Sequence, residues 1–301
     1  MEHFWGIDLG GTKIEGAILN ADAPDRPVCR LRVPTESEKG YDHIRAQIGK
    51  LIKMICSESG LPLPKRIGMG TPGVIDPHTG KLKNSNTQCL NHQRLQDDLE
   101  TDLGLKMVMA NDANCFALAE ATLGAARGFP TVFGVILGTG VGGGIVVNGQ
   151  VLNGCHGIAG EWGQIVLDPS GPLSNYGTRG TVEAFIAGPA LERFYAEQSG
   201  HARKLKEIVE GAKTHHDPAA EATLDRLTDT FAKAIGLIID VLDPHAIVLG
   251  GGVGNIEALY TNETRKKITA AIFNPTFEAA LLKPTLGDSA GVFGAAMLAA
   301  G

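Results

Sequence analysis

Apolar and small residues recur in one pattern twice. Trp5–Leu19 (WGIDLGGTKIEGAIL) reads as strand, glycine turn, strand, and the pattern returns without a gap at Phe133–Val147 (FGVILGTGVGGGIVV). Gly6, Leu9, Gly10 and Gly16 fall opposite Gly134, Leu137, Gly138 and Gly144. After the first hairpin, Cys29–Val33 predicts a third strand beyond a turn-rich Ala21–Pro27. Ile44, Ile48, Leu51, Ile52 and Ile55 recur at helical spacing, and Gly60, Pro62 and Pro64 close that helix. Arg66–Met69 predicts a strand entering the turn Gly70-Thr71-Pro72-Gly73. Met107–Ala110 predicts another, ending at Asn111-Asp112 before a helix from Ala113 to about Ala126.

The second half opens with the repeated hairpin and carries a polar, charged stretch from His201 to Ala222. Leu224, Leu227, Phe231, Ile235 and Ile238 then form a helical stripe that stops at Pro244. Ala246–Leu249 predicts a strand entering Gly250-Gly251-Gly252-Val253-Gly254, with a further helix beyond it. The Ala- and Gly-rich tail Ala290–Ala300 predicts a closely packed final helix. Strands interleaved with helices imply an α/β sheet with helical cover, whose ligands bind at the carboxyl ends of strands. That rule singles out Asp112.

Glycine turns let backbone N–H groups converge on phosphate oxygens, so the paired hairpins suit a polyphosphate ligand; two ordinary glycine-rich hairpins are the plainer alternative on the glycines alone. Gly138, Gly140 and Gly143 also satisfy G-x-G-x-x-G, but a dinucleotide-binding turn needs a helix next. Ile145-Val146-Val147, Asn148-Gly149 and Val151-Leu152 read instead as a strand and a hairpin turn.

Composition narrows the class further. A chain of 301 residues suffices for two domains, 43% hydrophobic content is globular, and 40 glycines fit many tight turns. A net charge of -6 without a Lys/Arg run gives no footprint for nucleic acid or an anionic membrane. Five scattered cysteines without a C-x-x-C pair, no signal-peptide pattern and no apolar run of membrane length predict a cytoplasmic protein with reduced thiols. In that compartment the sequon Asn262-Glu263-Thr264 carries no meaning.

Asp8-Leu9-Gly10-Gly11-Thr12-Lys13, Gly70-Thr71-Pro72-Gly73, Asn111-Asp112-Ala113-Asn114, Leu137-Gly138-Thr139-Gly140-Val141-Gly142-Gly143-Gly144 and Ala159-Gly160-Glu161-Trp162-Gly163 together resemble the ordered motifs of the ROK sugar kinases. These belong to the actin and hexokinase superfamily, and the resemblance runs from Gly6 to the final helix. It implies an α/β fold of two ribonuclease H-like lobes, residues 1–113 with a helix returning over 288–301, and residues 114–287. ATP and sugar would occupy the cleft between them.

By that resemblance Asp112 matches the general base that accepts a proton from the attacking sugar hydroxyl; read alone, it is equally a helix N-cap. Asp8 matches the residue that orients Mg²⁺ or its waters, with a turn-capping carboxylate as the plainer reading. Gly10, Gly11, Thr12 and Lys13 match the first phosphate-binding turn, Gly138, Thr139 and Gly140 the second, and Gly250, Gly251 and Gly252 the turn beside adenosine. Asn86, Asn111, Asp112, Glu161, Gln164 and Glu183 match sugar-binding positions, which suits groups that answer hydroxyls as donors and acceptors. Asn84 and Asn86 are also candidates to satisfy the backbone of their own loop.

The resemblance breaks at the structural zinc of the ROK proteins. The four ligand positions hold Gln164, Ser174, Tyr176 and Thr181, which lack thiolate and imidazole donors, so no structural zinc is expected there. Hydrogen bonding and packing must order that loop instead, with Tyr176 as candidate anchor. His156 reads as a solvated or packed side chain, and His215-His216 as an exposed polar loop.

The implied activity is ATP- and Mg²⁺-dependent phosphorylation of a hexose or N-acetylhexosamine, at the 6-hydroxyl by family habit. A glucokinase-like acceptor comes first, N-acetylglucosamine or fructose next. The other reading is a sugar-binding sensor of the same fold without transfer. A family regulator with an added helix-turn-helix domain is not expected, because the first hairpin starts by Trp5. The resemblance also implies a homodimer, with neither nucleic acid nor membrane as partner.

Overall fold

The computed structural model describes residues 2–214 and 216–300, so His215 lies outside the described residues. In chain order the elements are β1 (His3–Leu9), β2 (Lys13–Asn20), β3 (Ala23–Pro34), α1 (Tyr41–Ser59), β4 (Arg66–Thr71), β5 (Val74–Ile75), β6 (Leu82–Lys83), α2 (Leu95–Leu103), β7 (Lys106–Asn111) and α3 (Asp112–Thr122). There follow β8 (Thr131–Leu137), β9 (Val141–Val147), β10 (Gln150–Val151), α4 (Val182–Ile186), α5 (Gly188–Ser199), α6 (Leu205–Lys213), α7 (Pro218–Leu242), β11 (Ala246–Gly250), α8 (Gly251–Gly254), α9 (Asn262–Ala271), β12 (Ala280–Leu282) and α10 (Ala290–Leu298). Backbone proximity divides the chain into two units. One contains Met1–Pro130, Gly144–Ala159 and Thr285–Gly301; the other contains Thr131–Gly143 and Gly160–Pro284.

The sheet of the first unit runs β3-β2-β1-β4-β7, with β1 to β3 antiparallel and β4 and β7 parallel to β1. The five isoleucines and leucines of the α1 stripe are all buried, and Gly60 ends the helix at φ 68°, a conformation that costs glycine little. Helix α10 lies close against β1 and β4. A side chain at Gly6 or Gly68 would collide with the α10 backbone at Val292 and Ala295, and one at Gly294 would collide with Cys115 of α3. The Ala- and Gly-rich tail is therefore required by backbone approach, not only by helix propensity.

The second sheet runs β10-β9-β8-β11-β12, with β11 parallel to β8 and β12. Its order matches the first sheet, a hairpin followed by two more strands, so the repeat seen in the hairpins extends to whole sheets. Strand β9 follows the Gly138–Gly140 turn directly, which excludes the strand-turn-helix of a dinucleotide-binding unit. In the second unit, Trp162 meets Phe133 and Phe231 edge-on, with centroids 5.9 and 6.3 Å apart, and donates from Nε1 to the Gly142 carbonyl at 2.8 Å.

Several boundaries differ from the sequence reading. The turn-rich Ala21–Pro27 is mostly strand: β3 starts at Ala23, and register shifts opposite Ile18–Asn20 absorb the irregularity. The polar stretch from His201 to Ala222 holds α6 and the first turn of α7. Helix α6 buries only Ile208 and Ala212, too narrow a stripe for the apolar pattern to announce. Helix α7 ends at Leu242, where Asp243 takes the left-handed conformation before Pro244. Helix α3 ends at Thr122, and α10 starts at Ala290 after a 3-10 turn over Gly287–Ser289.

Candidate active site

In the first unit the parallel register sets Asp8 beside Gly70 and Gly70 beside Ala110, so the carboxyl ends of β1, β4 and β7 lie side by side. Asp112 follows directly on β7. The Asp8 carboxylate packs between two glycines: a Cβ at Gly70 would lie 3.3 Å from Oδ1, and one at Gly291, in the first turn of α10, only 2.6 Å from Oδ2. Gly70 was read from sequence as part of a turn and Gly291 was not singled out, because what each makes room for comes from a distant segment.

Burial, together with repulsion from Asp112 and Glu15, pushes Asp8 up to about 6 against the opposing pull of Lys13. Asp112 is reached by solvent, yet the protein around it thins its hydration enough to raise its carboxyl above the ordinary value, against hydrogen bonds from the backbone of its own turn. Cys115, buried on the first turns of α3, has its thiol pushed well up by burial and by the charges of Asp8 and Asp112. The site therefore gathers two carboxylates whose ionisation the surrounding protein disfavours.

The cap of α3 is Asn111: its Oδ1 accepts from the Asn114 N–H at 2.7 Å. Asp112 is the first helical residue and accepts at Oδ1 from the Ala113 N–H at 2.8 Å. The capping role thus falls to the amide and not to the carboxylate.

The first glycine turn is pinned by its own backbone and by Thr35. Gly10 N–H donates to the Lys13 carbonyl at 3.0 Å, Thr35 N–H to the Thr12 carbonyl at 2.9 Å and Thr35 Oγ1 to the Gly10 carbonyl at 2.6 Å. Gly11, Thr12 and Lys13 are exposed at its tip. Asn86 is also exposed, and Asn84 takes φ 59°. Ser85 and Asn91 supply backbone hydrogen bonds to this loop: Asn91 Oδ1 accepts from Ser85 N–H at 2.9 Å, and Ser85 Oγ from Thr87 N–H at 3.1 Å.

In the second unit the other glycine loops meet. Ile136 pairs with Gly250, and Gly251, at φ 82°, lies so close to the Leu137 backbone that no side chain fits. Gly252 faces open space, and Gly138 accepts at its carbonyl from the Gly188 N–H at 2.8 Å. Gly138–Gly140 and Gly250–Gly252 are thereby brought to one end of the sheet, and the first turn of α5 at Gly188 completes the cluster.

Glu183 Oε2 accepts from the Val141 N–H at 3.0 Å, and a Cβ on Gly140 would sit 2.9 Å from the same oxygen. One carboxylate oxygen therefore organises the second glycine turn. Tyr176, the candidate anchor of the neighbouring loop, is 56% exposed. Ser174, 7% exposed, orders this loop: its Oγ accepts from the N–H groups of Tyr176 and Thr178, both at 3.2 Å, and its own N–H donates to the Thr178 carbonyl at 2.8 Å. Thr181 Oγ1 caps α4 through the Ala184 N–H at 3.2 Å. Partial burial and the charges of Glu183 and Glu161 raise the Tyr176 hydroxyl, so Tyr176 shares a neighbourhood with both glutamates. Gln164 lies half-buried in the 3-10 turn after Glu161.

Comparison with known proteins places this arrangement in a lineage. The ROK family model matches residues 4–301. The chain is 34% identical over 305 residues to the N-acetyl-D-glucosamine kinase of Aliivibrio fischeri, covering 98% of each chain. Among solved structures, the ROK hexokinase of Thermus thermophilus aligns with TM-score 0.86 and 31% identity over 99% of this chain and 98% of that one. The ROK family glucokinase of Streptomyces griseus, solved with glucose and AMPPNP, aligns with TM-score 0.78 and 28% identity over 99% of each. The chain belongs to the ROK family, with its actin/hexokinase-type α/β fold.

Proposed function

We propose that this chain transfers the γ-phosphoryl group of ATP to a hydroxyl of a hexose or N-acetylhexosamine, with Asp112 as general base. The observation that carries this reading is that Asn111 caps α3, which leaves the neighbouring carboxylate at the carboxyl end of β7 engaged only by its own turn. An alcohol is a poor nucleophile until its proton has an acceptor, and a base with a raised pKa takes that proton most effectively near neutral pH. The Asp112 carboxylate accepts the proton as the sugar oxygen attacks phosphorus, and the bond to the ADP leaving group breaks in line.

The backbone N–H groups of Gly10, Gly11 and Thr12, with Lys13, bind phosphate, as do those of Gly138, Thr139 and Gly140. Gly250, Gly251 and Gly252 receive the adenosine. Asn86, Asn111, Glu161, Gln164 and Glu183 hold the sugar. Asn111 keeps its amide N–H donors for this purpose and Glu183 one carboxylate oxygen, since the remaining atoms are committed to the α3 cap and to Val141.

The donor set fits Mg²⁺. Asp8 offers a hard carboxylate oxygen whose pKa is raised by burial and by repulsion from Asp112, and magnesium takes few protein ligands while keeping its waters. Bound there with ATP, the ion neutralises phosphate charge. We place no zinc in the 164–183 segment, where Ser174 and Thr181 are already spent on backbone N–H groups.

The curated relatives named above support N-acetylglucosamine as the first acceptor to try and glucose as the second. All five cysteines are unpaired, which suits a reducing cytoplasm. Among the described residues no helix is long and apolar enough to cross a membrane. We take the enzyme to act as a homodimer, which sedimentation of the purified protein tests. The activity itself is tested by ADP release with ATP and Mg²⁺ against N-acetylglucosamine, glucose, N-acetylmannosamine, mannose and fructose. Sugar-dependent turnover is expected; saturable sugar binding without turnover on any of them favours the sensor.

A further inference from the structure

His78, Cys155 and His156 come from two separate segments and meet on the surface of the first unit. Their ligand atoms, one ring nitrogen from each histidine and the Cys155 sulfur, all lie within 4.8 Å of one another, and all three residues are exposed. The imidazole centroids are 5.7 Å apart, with the rings tilted at 55°. Among the described residues, this is the one set of three metal-ligating side chains that converges in this way.

Both segments are built to hold these positions. His78 sits in the turn between β5 and β6, where Asp76 Oδ1 accepts from its N–H at 2.8 Å and from that of Thr79 at 3.2 Å, and Asp76 Oδ2 pairs with Lys83 at 2.8 Å. The facing segment turns at Gly154 (φ 75°) and Gly157 (φ 72°), and is closed by the Ala159 N–H donating to the Asn153 carbonyl at 3.2 Å. A Cβ at Gly157 would lie 3.1 Å from the Ile75 carbonyl oxygen and 3.9 Å from Pro77 Cδ. The absence of a side chain at Gly157 therefore lets this turn press against the β5–β6 hairpin and brings Cys155-His156 up to His78.

We propose that His78, Cys155 and His156 bind a single borderline-soft divalent cation of the zinc class, with two imidazole nitrogens and one thiolate as ligands and a fourth position open to water. Tetrahedral zinc with N and S ligands spaces its donors about 3.3–3.6 Å apart, so the present spread needs only a small rotamer adjustment of exposed side chains. The donor set selects the metal: imidazole and thiolate favour zinc, cobalt or copper over magnesium or calcium, which want oxygen. On binding, the Cys155 thiol proton leaves to solvent as the S–metal bond forms, with no change in oxidation state. The ion clasps the β5–β6 hairpin to the 153–159 turn. None of its ligands falls in the 164–183 segment, so the site does not depend on the kinase reading.

Titration of the full-length, chelator-treated protein with Co²⁺ tests this, because a cobalt–thiolate bond gives a charge-transfer absorption that oxygen or nitrogen ligation does not. The expected result is a band that saturates at one Co²⁺ per chain and is displaced by Zn²⁺. It should vanish in Cys155→Ser, persist in the control Cys89→Ser, and weaken in affinity by about tenfold or more in His78→Ala and His156→Ala. No saturable band, a band that survives Cys155→Ser or is lost in Cys89→Ser, or affinity unchanged in both histidine variants would overturn the proposal. All three ligands are exposed, so these variants are expected to keep the wild-type circular dichroism spectrum.

Discussion

The side-chain oxygen of Asn111 accepts the Asn114 N–H at 2.7 Å, and this bond makes Asn111, not Asp112, the cap of α3. With the cap supplied by the amide, Asp112 begins the helix with its carboxylate left for chemistry. Asn111→Ala removes the cap and should lower stability by about 1 kcal/mol, read from the urea midpoint at constant slope. Asn111→Asp keeps an acceptor at the same place and should recover most of that loss, while sugar binding suffers in both because the amide donors are gone.

Asp8 is held where its charge is costly. Desolvation and the nearby Asp112 and Glu15 carboxylates raise its pKa to about 6. In metal-free protein at neutral pH, Asp8→Asn should therefore raise the melting temperature, by the equivalent of about 1–3 kcal/mol, while abolishing kinase activity. A variant that is neither stabilised nor inactive contradicts this assignment.

Gly291→Ala tests the same carboxylate from the other side. The added methyl would lie 2.6 Å from Asp8 Oδ2, so either α10 or the carboxylate must move. We expect a destabilisation of about 1–3 kcal/mol together with a raised Mg²⁺ requirement for turnover, measured by varying Mg²⁺ at saturating ATP and sugar.

Glu15, 1% exposed, sets the behaviour in acid. It pairs with Arg30, and with Arg32 at 2.9 Å. Burial opposes its ionisation, but the hydrogen bonds and charges of the two arginines outweigh burial, and its pKa falls below the ordinary 4.5. A group with a lowered folded pKa contributes stability that is full above the unfolded value and fades as pH falls through the folded one. Glu15→Gln should therefore cost about 1–3 kcal/mol at pH 7 and progressively less below pH 4.5, so that the two stability curves converge in acid.

Ser174 orders the loop that carries Tyr176 and Thr178. Ser174→Ala leaves the N–H groups of Tyr176 and Thr178 without their acceptor, and should raise the KM for sugar several-fold while leaving the KM for ATP in place. Equal effects on both would show that the loop does not serve the sugar alone.

The parts of this molecule that were legible in the sequence are those governed by local pattern. The α1 stripe, the paired hairpins, the strand before Asp112 and the glycine turns follow from apolar period and from glycine. The part of Ser174 in ordering the 174–178 loop was not legible, because a serine's burial and the N–H groups it serves depend on the fold of the loop. Helix α6 was hidden because it buries only Ile208 and Ala212. The packing of Gly70 and Gly291 around Asp8, and the meeting of His78 with Cys155 and His156, join residues far apart in the chain, which no local window contains.

The most direct test of the central claim is the steady-state rate of ADP release by Asp112→Asn, alongside its affinity for the acceptor sugar by calorimetry. The account predicts that kcat falls by about 10²–10⁴-fold while sugar affinity stays within a few-fold of wild type, because the amide keeps the shape but cannot take the proton. A kcat close to wild type, with sugar still bound, would contradict the assignment of Asp112 as the base.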